Sequence, residues 1–81
     1  MRIEHSRLFN EFISFWFETR VDGQLRYETF VDYLRGEWYT CPAGSDGPIL
    51  IRGQFPTSLP DHTVPDSIKP SIEAAIEEGR I

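Results

Sequence analysis

The stretch Phe15-Trp16-Phe17-Glu18-Thr19-Arg20-Val21-Asp22-Gly23-Gln24-Leu25-Arg26-Tyr27-Glu28-Thr29-Phe30-Val31 decides the fold, and it carries two conflicting signals. Asp22-Gly23 is a strong two-residue hairpin turn. Its flanks are rich in aromatic and β-branched residues, as strands are. Against that, Tyr27, Phe30, Val31, Leu34 and Trp38 recur at i, i+3, i+4, i+7 and i+11, with Glu28, Asp32, Arg35 and Glu37 on the other side. That spacing is the amphipathic pattern of a helix. Upstream, Leu8, Phe12, Phe15 and Trp16 fall on one helical stripe, widened by Phe9 and Ile13, with Ser6 as N-cap. The helical period predicts a mainly α domain with an antiparallel helix pair at about 7–17 and 26–38. The rival is an α+β chain with a hairpin turning at Asp22-Gly23.

Downstream the composition changes. All six prolines lie beyond Cys41, with Gly44, Gly47 and Gly53 among them. The middle therefore reads as turns and extended chain, pressed onto a core by Ile49, Leu50, Ile51, Phe55 and Leu59. Three consecutive aliphatics, Ile49 to Ile51, show no face preference, which predicts burial on both sides. A last helix is expected at about 67–78, with Ile68, Ile72, Ala75 and Ile76 on one side and Gly79 as the C′ residue. Pro70 then belongs in its first turn.

At 81 residues the chain is a single domain, 1–81, with one core. Surface scaling gives about 5,000 Å² exposed after folding. Thirteen Asp+Glu against eight Lys+Arg leave a net charge of −5. Such a surface repels phosphate and disfavours direct nucleic-acid binding. One cysteine excludes an internal disulfide. No apolar run approaches the ~20 residues of a membrane helix. Met1-Arg2-Ile3-Glu4-His5 does not read as a signal peptide, so a cytoplasmic protein is expected.

Catalytic chemistry finds little to stand on. Cys41 is the one soft nucleophile; His5, and His62 beside Asp61, are the neutral-pH bases. A Cys41–His62–Asp61 site is writable, but the expected position of Cys41 after a helix C-terminus disfavours a thiolate, and no glycine-rich elbow precedes it. A small buried thiol is the plain reading, and no enzyme is expected. Glu18 to Thr29 has the outline of a calcium loop, with Asp22, Gly23 and Leu25 in register. Arg20 and Thr29, however, stand where oxygen ligands are needed. Neither a metal nor a cofactor is expected.

Cys41-Pro42-Ala43-Gly44-Ser45-Asp46 resembles the turn after the second helix of the colicin and pyocin DNase immunity proteins, short acidic chains that carry His-Pro-x-Gly-Ser-Asp there. Pro65-x-x-Ile68 is similar to that family's entry into its last helix. Cys41 stands for the family's His, and Gly47-Pro48-Ile49-Leu50-Ile51 replaces its contact aromatics. The resemblance implies an all-α distorted bundle that binds a nuclease toxin and blocks its DNA-binding surface.

Read without the resemblance, a small acidic domain lacking a catalytic constellation acts by binding. The expected activity is inhibition of a basic protein partner, a nuclease or another nucleic-acid enzyme, in the manner of immunity proteins or phage-encoded inhibitors. The expected partner-binding residues are Glu28, Asp32 and Glu37 on the polar side of the second helix, Asp46 after the turn, and the exposed tyrosines Tyr33 and Tyr39. The alternative is an accessory interaction domain that forms a homodimer or joins a larger complex.

Overall fold

Residues 15–31 form a hairpin of two strands, which overturns the mainly α reading and the helical bundle that the resemblance implies. A computed structural model of the chain describes residues 1–6, 8–11, 14–44 and 47–81. The strands are β1 (Ile3–His5), β2 (Phe9–Glu11), β3 (Ser14–Val21), β4 (Gln24–Asp32), β5 (Glu37–Pro42) and β6 (Ile51–Gln54), followed by a 3-10 turn (Asp61–Thr63) and one helix, α1 (Val64–Glu77). All strand pairs are antiparallel, in the order β1-β3-β4-β5-β6. β2 shares the outer edge of β3 with β1: it lies along Ser14–Trp16, and β1 lies along Thr19–Val21.

Period-two burial explains the strands. On β3, Phe15, Phe17, Thr19 and Val21 are buried; on β4, Tyr27, Thr29 and Val31 are buried. Residues between them point to the other face. Asp22 and Gly23 turn the hairpin with φ of 51° and 82°, the left-handed pair a type I′ turn requires. The helical spacing of residues 27–38 is a coincidence of two faces. Tyr27, Val31 and Trp38 lie inside, Phe30 lies outside, and Leu34 is 61% exposed in the β4–β5 turn. In that turn Asp32 Oδ1 accepts the N–H groups of Leu34 and Arg35, both at 3.1 Å.

The helix α1 covers the inner face. Val64, Ile68, Ile72, Ala75 and Ile76 form its buried stripe, against Phe15, Phe17, Val31, Trp38 and Phe55. It starts earlier than 67, so Pro65 occupies the first turn and Pro70 lies inside the helix, where the expected first-turn placement fails. Pro70 removes the rung that Asp66 C=O would accept. The C-terminus is a Schellman cap at Gly79, φ 73°, with Gly79 N–H on Ile76 C=O at 3.1 Å and Arg80 N–H on Ala75 C=O at 2.9 Å. The expectation of two-sided burial at 49–51 also fails: Ile49 is 45% exposed, because β6 is an edge strand that begins only at Ile51. The described molecule exposes 5309 Å², near the scaling value.

Polar groups inside are satisfied in pairs. Thr29 Oγ1 and Thr40 Oγ1 share a hydrogen bond of 2.8 Å. His5 ties the sheet edge to α1: Nδ1 is 2.9 Å from Thr19 Oγ1 and Nε2 is 3.1 Å from Glu73 Oε1. An ionised Glu73 only accepts, so the neutral ring carries its proton on Nε2 and Nδ1 accepts the Thr19 hydroxyl. Burial pushes the His5 pKa below its ordinary 6.5, against the raising pull of Glu73.

Candidate protein-binding face

Among the described residues no helix lies on the outer face of the sheet. Across it the register aligns Phe9 with Trp16, Trp16 with Phe30, Phe30 with Tyr39, and Tyr39 with Arg52. The four rings stack in sequence, with centroid separations of 4.3, 6.4 and 5.3 Å and interplanar angles of 18°, 30° and 26°. Phe9 and Tyr39, at the two ends of the row, are 41% and 39% exposed; Trp16 and Phe30 are half-buried between them. A ring presented on an uncovered sheet is an anchor for a protein surface, and four in contact form a continuous apolar strip.

Carboxylates border the strip on both sides. Glu18 lies directly opposite Glu28, and Asp32 directly opposite Glu37. Like charges facing each other across strands are destabilising. Arg35 lies 3.7 Å from Asp32, and Glu28 accepts the Gly44 N–H at 3.0 Å. Among the described residues no ion pair compensates Glu18, Glu28 or Glu37. Between Trp16, Phe30 and Tyr39 on one side and Asp32 and Glu37 on the other is a hollow of about 490 Å³. Arg35 also lines this hollow and pairs with Asp32, so Glu37 is the carboxylate left beside the rings to take a partner's cationic side chain.

Of the residues picked from the sequence, Glu28, Asp32, Glu37 and Tyr39 share this face, on strands and not on a helix. Asp32 has a second task as the cap of the β4–β5 turn. Tyr33 is elsewhere: it is half-buried, with its ring 5.9 Å from that of Phe15, on the core side. Asp46 lies outside the described residues. Phe9, Trp16, Glu18, Phe30 and Arg52 were missed. Only their cross-strand register brings them together, and a helical reading erases that register.

The other constellations come apart. Cys41 sits on β5 opposite Glu28, not after a helix. Burial, with Glu28 adding to it, pushes its thiol pKa up, away from a reactive thiolate. Asp61 and His62 line a different hollow with Leu8, Phe15 and Tyr33. The calcium-like stretch is the β3–β4 hairpin, and its Thr29 is fully buried against Thr40. Among the described residues no cluster of three His, Cys, Asp or Glu is placed to hold a metal. Among the described residues no helix is long and apolar enough to cross a membrane. Comparison with protein-family models, curated proteins and solved structures found no match to this chain.

Proposed function

We propose that this protein works in the cytoplasm as a binding inhibitor, and that its outer face docks on the basic surface of a nuclease or another nucleic-acid enzyme and blocks it. The observation that carries this reading is the aromatic row bordered by two facing carboxylate pairs, Glu18–Glu28 and Asp32–Glu37. Each pair costs folding stability, and a basic partner relieves that cost on binding. The acids steer the encounter, and Trp16 and Tyr39 supply the contact area that sets the dissociation rate. A symmetric dimer through the same face is disfavoured, because it sets acids of one copy against acids of the other.

Capture from a cell lysate on immobilised protein, with the retained proteins identified and assayed, tests this. The expected retained partner is a basic nucleic-acid enzyme whose activity falls on addition of the protein, and Trp16→Ala abolishes both effects. Retention that survives Trp16→Ala and Glu37→Lys, or a retained partner without a basic surface, contradicts it.

A further inference from the structure

The far edge of the sheet offers a partner unpaired backbone groups, where the outer face offers rings and carboxylates. β6 pairs with β5 on one side only. The Phe55 N–H bonds the Gly36 C=O at 2.9 Å. Strand alternation then turns the backbone groups of Gly53 and Ile51 toward β5 and those of Arg52 and Gln54 away from the sheet. Among the described residues no strand pairs with that outward edge.

Beneath the edge, between β6 and α1, is a cleft of about 770 Å³, with Trp38, Phe55, Ile68 and Ala74 among its walls. In a chain with thirteen acids, none lines this cleft, whereas Arg52 and Arg80 do. Arg80 is paired with Glu78 at 2.7 Å; Arg52 has no ion-pair partner among the described residues. At Gly53 a Cβ would fall 2.6 Å from Trp38 Nε1 and 2.7 Å from the indole carbons. The indole therefore lies directly against the strand and fills the place that a side chain at Gly53 would take.

We propose that the β6 edge and this cleft form a second docking site, which takes an extended acidic peptide segment by strand addition. An added strand bonds the outward groups of Arg52 and Gln54. Its side chains alternate. The one beside Gly53 enters the cleft and is apolar, and those beside Arg52 and Gln54 stay on the outer face, where a carboxylate meets the Arg52 guanidinium. The preferred segment is an alternation of acidic and apolar residues. A second copy of this chain is a poorer occupant, since it brings a second Arg52 to the edge. Long exposed edges are normally blocked; this one is short, ends at Gln54 two residues before Pro56, and carries a single unpaired cation.

The test is amide and indole N–H shifts of the isotopically labelled protein, titrated with a synthetic peptide alternating glutamate and valine, and with one alternating lysine and valine. Saturable shifts at Arg52, Gln54 and the Trp38 indole are expected with the glutamate peptide alone. Gln54→Pro deletes one outward N–H, at a position where edge strands accept proline, and weakens binding about fivefold. Arg52→Glu, an exposed change that leaves the fold intact, reverses the preference toward the lysine peptide. Equal affinity for both peptides, shifts centred on Trp16 and Tyr39, no shifts at all, or an unchanged preference in Arg52→Glu overturns the proposal. So does concentration-dependent dimerisation that protects the Arg52 and Gln54 amides without peptide. Charge reversal on the outer face at Glu18 leaves this titration unmoved, which separates it from the inhibitor reading.

Discussion

The inner and outer faces of β3, β4 and β5 are made by alternate residues of the same strands, yet they obey opposite rules. Inside, each polar group meets a partner: Thr29 meets Thr40, and His5 joins Thr19 to Glu73. Outside, Glu18 faces Glu28 and Asp32 faces Glu37, beside rings left half in water. A sheet under selection for stability alone would place opposite charges at those positions. The contrast teaches that the covered face carries the folding energy, and that the open face gives some of it up.

That contrast is breakable. The largest effect is expected on the covered face. Ile72 is fully buried in α1, and Ile72→Ala leaves a cavity that costs about 2–5 kcal/mol, read as a lowered denaturant midpoint. Next comes Gly53→Ala, whose methyl collides with the Trp38 ring; strain of about 1–3 kcal/mol is expected in the same measurement. On the open face the sign reverses. Glu18→Lys turns a like pair into an opposite pair with Glu28 and raises stability by about 0.2–1 kcal/mol. A destabilising Glu18→Lys would show that the acids are already accommodated, and the two faces would no longer differ.

The smallest effect is a pH slope. Burial holds the folded-state pKa of His5 below the ordinary 6.5, so the unfolded chain binds more protons in that range. Stability is therefore fully present above about pH 6.5 and is lost as pH falls through the lower folded value. His5→Gln should flatten that part of the stability profile. A profile of unchanged slope would place the titration on another group.

Parts of the fold were legible in the sequence. The Asp22-Gly23 turn, the apolar stripe of α1 and the Gly79 cap all rest on local chemistry, and all three are found in the structure. What hid the sheet was a bulge. From a two-residue turn at Asp22-Gly23, regular pairing sets Val21 against Gln24 and Arg20 against Leu25, and would next pair Thr19 with Arg26. The register instead shifts to Thr19 against Tyr27, leaving Arg26 as the extra residue. That slip exchanges the faces of β4: it sends Tyr27, Thr29 and Val31 inward and Phe30 outward. A single sequence does not announce where a bulge falls. With Phe30 and Trp16 on the wet side, the apolar-polar alternation of β3 and β4 is blurred, and the helical spacing of 27–38 stands out by default. Glu28, Asp32 and Glu37 stood out as the polar side of the expected helix, and Tyr39 as an exposed ring; Glu18, Phe9, Trp16 and Phe30 needed the register.

The most direct test of the inhibitor reading joins the two faces in one variant. Glu18→Lys with Glu37→Lys converts both like pairs into opposite pairs. Its unfolding midpoint and its association rate with the captured basic partner should be measured side by side, at low and at high salt. The account predicts a raised midpoint, a slower association, and a loss of the steep salt dependence shown by the unaltered protein. An association rate equal to that of the unaltered protein at low and at high salt, in a variant that has gained stability, would contradict it.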